Sequence, residues 1–287
     1  MYDKLVHFLN EKAIRQLVLN EPRGRCSMNT NLILPPCDPR ANAGFLIMES
    51  EEYAPMSGSN TICTVAVLLE TGMVLMREPI TELTLDTAAG LVTVKAECEA
   101  GKCKNVALDN VPAVVFKFDY QVLVPGFGEV SVDIAWGGMI TQLSEIGERI
   151  KRAVQASYTP VHPENPRIKR VSILELTEPH TQDGGCKAAT NTVVVLPGRF
   201  DRSPCGTGTC ARLAVLHARG QLAEGEIFKL RSIIGTEFTS HIRGITQVGR
   251  YQAVLPTVAG RAWITSFRQI VLDSSDPFPE GFRVGDQ

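Results

Sequence analysis

The sequence lacks the features that mark secreted and membrane-spanning proteins. Its longest apolar stretch, "TVAVLLETGMVLM", is interrupted by Glu70 and is much shorter than a membrane span. The first 19 residues carry charges throughout and have no continuous apolar core. They predict an amphipathic helix over residues 2–19 rather than a signal peptide. We therefore expect a cytoplasmic protein that does not enter a membrane.

The sequence also lacks the patterns of metal, dinucleotide and nucleic-acid sites. Its eight cysteines include no CxxC pair, and its five histidines form neither an HxxxH nor an HxH pattern. It has no glycine pattern for a dinucleotide and no basic stripe, and its formal net charge is −2. We expect no metal, no cofactor and no nucleic-acid partner.

What is present is an ordinary globular composition with an irregular order of elements. The 287 residues are 44% hydrophobic and 21% charged, which fits one large domain or two moderate ones. Residues 82–111 alternate with period two and predict antiparallel strands, and residues 226–249, 251–260 and 261–272 also predict strands. Residues 141–158, "TQLSEIGERIKRAVQASY", have helical periodicity. This order is not a βαβ alternation and predicts an α+β fold.

One segment of the chain occurs twice in similar form. Residues 201–220, "DRSPCGTGTCARLAVLHARG", align with residues 53–72, "YAPMSGSNTICTVAVLLETG", at an offset of 148, and six of the sixteen positions from 57 to 72 are identical. Both copies predict a glycine-containing turn followed by a helix that ends at a glycine, Gly72 or Gly220. The repeat predicts an internal duplication.

The duplication predicts two pseudo-symmetric halves, each a mainly antiparallel sheet around a central helix. We assign residues 1–127 to the half that carries the Ser57 turn and residues 128–287 to the half that carries the Cys205 turn. The predicted strand at about 261–272 is a candidate to pack back on the first half. The alternative is a coincidence between two copies of a common turn-helix pattern.

The two turns carry residues suited to acid–base chemistry. A helix N-terminus has unpaired N–H groups and partial positive charge, and its glycines let an anion approach. This setting predicts a lowered pKa for the Cys205 thiol, which makes it a candidate general base. If the two turns face each other, Ser57 and Cys205 lie on opposite faces of a ligand. That arrangement suits proton transfer at the α-carbon of an amino acid.

Each of these residues also has a purely structural interpretation. A cysteine at a helix start is often structural, and serine is a common N-cap, which is a sufficient role for Ser57. Asp201 is either a turn former before the helix or a binding group for a substrate ammonium. The sequence alone leaves these alternatives open.

The segment "DRSPCGTGTCARLAVLHARG", together with "MSGSNTIC", "LNEPRG", "VDIAWGG" and "GRAWIT", resembles the proline racemase family. The family includes proline racemases, 4-hydroxyproline 2-epimerases and trans-3-hydroxy-L-proline dehydratases. The resemblance covers most of the chain, and "DRSPCGTGT" is its most specific motif. It implies the diaminopimelate epimerase-like fold of two similar halves.

The resemblance also implies roles for individual residues. The family's acid–base pair is two cysteines; the second corresponds to Cys205, and the first is replaced by Ser57. The family's following Gly-His corresponds to Gly58 and Ser59. The implied groups that bind the substrate carboxylate through the backbone are Gly58, Ser59, Gly206 and Thr207. The aspartate that holds the ring nitrogen corresponds to Asp201.

The replacement of one cysteine by serine is the basis of the functional expectation. Racemisation needs an acid and a base on opposite faces, whereas dehydration needs one base for the α-proton and a leaving β-hydroxyl. Relatives with one cysteine replaced resemble trans-3-hydroxy-L-proline dehydratases, with Δ1-pyrroline-2-carboxylate as product. The alternatives are a 4-hydroxyproline 2-epimerase or proline racemase, and an inactive imino-acid-binding relative. Which of Ser57 and Cys205 removes the α-proton stays open.

The sequence departs from the family pattern in two further places. Family members carry a strand with a His-(Thr/Ala)-Gly-(Gly/Glu) turn before "NEPRG", and another segment after "AWGG"; neither occurs in this sequence. The expected partner is a small imino acid, and a homodimer is one assembly that the sequence leaves open.

Overall fold

The computed structural model describes residues 1–25, 27–50, 52–137, 140–143, 147–195, 199–273 and 275–283. By contacts between residues, the chain divides into two compact units. Unit 1 comprises Met1–Met56, Asn60–Val106 and Arg261–Gln287, and unit 2 comprises Ser57–Ser59 and Ala107–Gly260. The predicted halves, 1–127 and 128–287, follow the internal repeat rather than these contacts and stay a prediction.

Among the described residues, unit 1 contains six strands, the last of which ends in unit 2, and three helices, the last of which starts in unit 2. In chain order the elements are α1 (Tyr2–Asn10), α2 (Lys12–Leu19), β1 (Thr30–Leu34), β2 (Ala43–Met48), β3 (Tyr53–Ala54), α3 (Gly58–Glu70), β4 (Ile80–Thr87), β5 (Gly90–Glu99) and β6 (Lys102–Asp109). The strand order is β1-β2-β4-β5-β6, with β3 paired to β2. The β1–β2 and β4–β5 pairs are antiparallel, and β2–β4 is parallel.

The strands and helices of unit 1 form as their apolar patterns require. Strand β5 alternates buried and exposed residues along "VTVKAECE", as a strand with one solvated face should. Leu5 of α1 and Leu19 of α2 pack against Leu46 and Met48 of β2, so the two short helices cover one face of the sheet.

Unit 2 contains the remaining elements. They are β7 (Ala113–Val124), β8 (Gly128–Trp136), β9 (Ile140–Leu143), α4 (Gly147–Ser157), β10 (Ile173–Thr177), β11 (Thr181–Asp183), β12 (Cys186–Val195), β13 (Arg199–Phe200), α5 (Gly206–Ala218), β14 (Phe228–Arg231), β15 (Glu237–Val248) and β16 (Tyr251–Gly260). Its strand order is β16-β15-β14-β12-β10-β9-β8-β7. A further antiparallel pairing of Ala253 with Val114 joins β16 to β7 and closes the sheet.

Helix α5 is enclosed by this closed sheet. It packs against β7, β8, β9, β15 and β16, and Ala211 and Val215 contact Ala135 of β8. Leu213 and Leu216 are also fully buried. A helix that is apolar around most of its circumference needs such a surround, because no face of it suits water.

The repeat predicted from the sequence is visible in the helices. Helices α3 and α5 have 13 residues each and lie at the same offset of 148, from Gly58 to Gly206 and from Glu70 to Ala218. The glycines expected to end them, Gly72 and Gly220, have φ of 74° and 67°. This left-handed backbone is the conformation in which glycine ends a helix.

A close approach of β8 to α5 requires glycine at position 137. A Cβ atom there would lie 2.6 Å from the backbone nitrogen of Ala211 and 2.9 Å from Cβ of Cys210. These distances are shorter than a carbon side chain can adopt. The first glycine of "AWGG" therefore lets the strand end lie on the helix; the second lies outside the described residues.

Three expectations about secondary structure are wrong. The helix expected over residues 2–19 is two helices, since Glu11 has φ of −96° and ψ of 77° and interrupts it. The helix expected over residues 141–158 begins at Gly147, and residues 140–143 instead form β9, which pairs with β8 and β10. Residues 261–272, expected as a strand, are assigned no strand although they group with unit 1.

Among the described residues, no helix is both long enough and apolar enough to cross a membrane.

We expect Gly137→Ala to lower the free energy of unfolding by about 1–3 kcal/mol, because the added methyl group overpacks the α5 backbone. Denaturant unfolding measures this change. Gly244→Ala is the control, since a Cβ there would meet Leu255 at an ordinary 3.7 Å. Equal stabilities of the two variants would contradict the close approach.

Candidate active site

Cys205 is the N-cap of α5. Its Sγ accepts a hydrogen bond from the backbone N–H of Gly208 at 3.4 Å and lies 3.4 Å from the hydroxyl of Thr207. The carbonyl of Cys205 accepts hydrogen bonds from the backbone N–H and the hydroxyl of Thr209, at 2.9 and 2.7 Å. The thiol therefore accepts a hydrogen bond from one of the N–H groups of the first turn that have no partner within the helix.

The backbone of Cys205 is strained. Its φ is 63° and its ψ is 110°, a combination that residues with a Cβ atom rarely adopt. Holding such a conformation costs about 1–3 kcal/mol, and it persists only where surrounding contacts fix it. Here the hydrogen bonds of the thiol, the carbonyl and the backbone N–H of Cys205 supply that constraint.

Ser203 joins Cys205 to Asp201. The N–H and the hydroxyl of Ser203 donate to the two carboxylate oxygens of Asp201, at 3.0 and 3.2 Å. The N–H of Cys205 in turn donates to Oγ of Ser203 at 3.1 Å. Burial raises the pKa of Asp201, while its hydrogen bonds from Ser203 lower it. Asp201 is thus held four residues before Cys205, and its carboxylate is linked through Ser203 to the backbone N–H of Cys205.

The expected lowering of the Cys205 pKa is wrong for this structure. Burial raises the pKa of the thiol, and the nearby carboxylate of Asp201 raises it further. The hydrogen bonds from Thr207 and Gly208 act in the opposite direction but are weaker than the loss of solvation. The helix N-terminus argument considered only the N–H groups and not the burial of the sulfur. Cys205 therefore holds its proton at neutral pH in the structure described.

The Ser57 turn meets the Cys205 turn through glycine backbones. Ser57 is buried, and its Oγ lies 3.2 Å from Oγ of Ser59. A Cβ atom on Gly58 would lie 2.8 Å from Cα of Gly206, and one on Gly206 would lie 2.8 Å from the nitrogen of Gly58. Because Ser57–Ser59 belong to unit 2, this contact lies within that unit. The first residues of α3 and α5 touch, and no side chain fits at either glycine.

The structure connects the residues expected at the site in two groups. One group is Ser57, Gly58 and Ser59 at the start of α3; the other is Asp201, Cys205, Gly206 and Thr207 at the start of α5. The Gly58–Gly206 contact joins them. Ser57 and Cys205, which precede these glycines, therefore flank the same contact. Their assigned roles in catalysis and binding stay predictions.

Sequence reasoning missed one polar group beneath this turn. Glu175 of β10 is fully buried, and its Oε1 accepts a hydrogen bond from Nδ2 of Asn191 at 2.7 Å. The same Nδ2 donates to the carbonyl of Pro204 at 2.8 Å, so Asn191 ties Glu175 to the residue before Cys205. Burial raises the pKa of Glu175 to about 7. A charged residue among the apolar residues of "SILEL" was the available signal.

The arrangement is suited to binding an amino acid and moving a proton at its α-carbon. Two helix starts in contact offer N–H groups to a carboxylate. Asp201 offers a negative charge to an ammonium group, and the hydroxyl of Ser203 joins it to the backbone N–H of Cys205. Cys205 and Ser57 offer a thiol and a hydroxyl that differ greatly in acidity.

Comparison with known proteins agrees with this chemistry. The proline racemase family profile matches residues 1–283. The chain is similar to a hydroxyproline epimerase from Agrobacterium vitis, solved with bound trans-4-hydroxy-L-proline: 37% identity and a TM-score of 0.93 over 99% of this chain and 87% of that one. It is equally similar in sequence to a probable proline racemase from Agrobacterium radiobacter K84, with bound carbonate: 37% identity and a TM-score of 0.90 over 96% and 86% of the chains.

A more distant likeness concerns the fold alone. A phenazine biosynthesis protein of the PhzF family from Bacillus anthracis is 12% identical, with a TM-score of 0.57 over 90% of this chain and 87% of that chain. Together with the two closer structures, it confirms the expected α+β fold of the diaminopimelate epimerase-like type.

We expect Gly206→Ala to separate the two turns, because its Cβ would overlap the backbone of Gly58. The free energy of unfolding should fall by about 1–3 kcal/mol, as measured by denaturant unfolding, and any turnover should be lost. Gly147→Ala, at the first residue of α4, is the matched control, since its Cβ would meet Val194 at an ordinary 3.5 Å. A Gly206→Ala protein as stable as this control would rule out the glycine contact.

Proposed function

Because the chain belongs to the proline racemase family, we propose that it dehydrates trans-3-hydroxy-L-proline to Δ1-pyrroline-2-carboxylate without a cofactor. The observation that carries this proposal is the pair of residues before the touching glycines, a thiol at Cys205 and a hydroxyl at Ser57. A pair of thiols can exchange a proton from either face of a carbon. A thiol with a hydroxyl supplies one group of suitable acidity and one much weaker acid.

Dehydration suits this unequal pair. A base removes the α-proton, the electrons of that bond form a double bond between the α- and β-carbons, and the β-hydroxyl leaves as water after taking up a proton. The resulting enamine then tautomerises to the cyclic imine. The N–H groups of Gly58, Ser59, Gly206 and Thr207 hold the carboxylate and stabilise the charge that develops beside it, and Asp201 holds the ring nitrogen.

Because the pKa of Cys205 is raised, the thiol needs the bound substrate to help it lose its proton. The carboxylate of Asp201 is one cause of that raised pKa. A positively charged ring nitrogen placed against Asp201 offsets its charge and so favours the thiolate. In this proposal Cys205 becomes a base when the substrate is bound. Ser57 then assists departure of the β-hydroxyl.

A second candidate is 4-hydroxyproline 2-epimerase activity. It is favoured by the relative from Agrobacterium vitis, which is a hydroxyproline epimerase solved with trans-4-hydroxy-L-proline. Under this alternative Ser57 must supply or remove a proton on the face opposite Cys205.

Turnover in deuterated water with each substrate distinguishes the candidates. With trans-3-hydroxy-L-proline we expect the cyclic imine to accumulate, followed by NMR, and with trans-4-hydroxy-L-proline we expect little deuterium at the α-carbon. Deuterium uptake with inversion and no imine would instead establish the epimerase. Binding of either imino acid without turnover would indicate an inactive relative.

We expect Ser57→Cys to raise epimerisation relative to dehydration, because it restores a second group of thiol acidity. The ratio of inverted product to imine measures this effect, and we expect it to rise about tenfold or more, given the 10²–10⁴-fold that a positioned acid or base typically contributes. Ser172→Cys, which adds a thiol just before β10, is the control. An unchanged ratio in Ser57→Cys would remove Ser57 from the mechanism.

A further inference from the structure

The proposed reaction makes no use of Glu175, although this carboxyl group is completely buried beneath the first turn of α5. Its Oε2 has no hydrogen-bond partner among the described residues. A Cβ atom on Gly208 would lie 2.8 Å from that oxygen and 3.4 Å from Cβ of Cys205. The carboxyl group and Cys205 therefore lie against Gly208, the residue whose N–H donates to the thiol.

A structural role accounts for only one of the two carboxylate oxygens of Glu175, namely Oε1. The bond from Asn191 to Oε1 ties β10 and β12 to the carbonyl before Cys205, and a glutamine could accept the same bond. The unpaired Oε2 costs free energy in a buried site, and a buried charge costs more. A glutamate at this position therefore costs more free energy than a glutamine that would accept the same hydrogen bond.

We propose that Glu175 is a positioning residue for Cys205, whose carboxyl charge, placed behind Gly208 and held by Asn191, controls when the thiol loses its proton. Ionised Glu175 opposes the thiolate, and protonated Glu175 permits it. The role of Glu175 in catalysis rests on the proposed function. Its effect on ionisation of the Cys205 thiol does not.

The charged and titratable groups around Glu175 support this coupling. From α5, Arg212 faces Glu175 and favours the ionised form of its carboxyl group. Burial raises the pKa of Cys210, also on α5, and the charge of Glu175 raises it further. Cys205 is also raised in pKa partly by Glu175, after burial and Asp201. From β12 the facing group is the neutral amide of Asn191. Asp133 acts on this cluster through Arg212.

The coupling predicts a pH at which it operates. Because burial raises the pKa of Glu175 to about 7, the carboxyl group is neutral below that pH and charged above it. Coupling between two titrating groups is reciprocal, so formation of the Cys205 thiolate also favours protonation of Glu175. Glu175 is then able to hold a proton while Cys205 lacks one.

The test is the rate at which iodoacetamide alkylates Cys205, followed peptide by peptide with mass spectrometry and without substrate. The thiolate is the reacting form. Glu175→Gln keeps the acceptor for Asn191 and removes the charge. We expect the ratio of variant to wild-type rate to be near one at pH 5.5 and to rise through pH 7 to about tenfold at pH 8.5, for a change of about one pKa unit.

Two references accompany this measurement. Cys37 is exposed and should react alike in both proteins, and Glu178→Gln, an exposed carboxylate just after β10, should leave Cys205 unchanged. A ratio that stays at one, or that differs from one equally at all pH values, would overturn the proposal, since altered access gives no pH dependence.

Wild-type protein supplies an independent reading if Glu175→Gln does not fold. The logarithm of its Cys205 alkylation rate should rise with pH at less than the slope seen for Cys37 near pH 7, because each Glu175 that ionises opposes the thiolate. Parallel slopes for the two cysteines through this range would refute the coupling. Neither readout depends on which imino acid is turned over.

Discussion

The backbone contact between Gly58 and Gly206 is the constraint on which the site depends. Neither glycine has room for a Cβ atom, so the backbones at the starts of α3 and α5 are in direct contact. The thiol and the hydroxyl directly precede the two glycines, and the N–H groups of the helix starts directly follow them. The surrounding sheet of unit 2 holds α5 in place by enclosing it.

The electrostatics of the thiol are a balance between opposing neighbours. Burial, Asp201 and Glu175 favour the protonated sulfur, and the hydrogen bonds from Thr207 and Gly208 favour the ionised one. The first set prevails. Under the proposed function, a zwitterionic imino acid changes this balance, because its cationic nitrogen offsets the charge of Asp201 and so favours the thiolate only when that substrate is bound.

The sequence was sufficient for features encoded in local residue order. The glycines that end α3 and α5 and the turn-helix repeat itself follow from short-range chemistry, and the α+β class follows from the order of elements. The resemblance to the proline racemase family also rests on short motifs, some in these two segments and some elsewhere in the chain, and the family profile confirms it. Features set by distant parts of the chain were not predictable. Residues 141–143 belong to the segment with helical periodicity but lie in β9, because β8 and β10 offer them hydrogen-bonding partners on both sides.

The pKa of Cys205 and the presence of Glu175 illustrate the same limit within the site. A helix start is readable from the sequence, but the burial of its sulfur depends on all the elements packed around α5. Glu175 is 30 positions before Cys205 along the chain and reaches the turn only because β10 lies beside β12. The strand expected at residues 261–272 is wrong for a related reason, because a strand forms only where a neighbouring strand pairs with it, and local residue types do not supply that neighbour.

Under the proposed function, the position of Ser57 and Cys205 relative to the glycine contact has an evolutionary consequence. The glycines cannot vary without moving the helices, but Ser57 and Cys205 stand just outside the contact as the residues before each helix. Exchange of sulfur for oxygen at either place changes proton affinity by several orders of magnitude while leaving the framework untouched. A scaffold of this kind can acquire a new reaction through one codon, and its descendants can diverge in chemistry while their backbones stay superimposable.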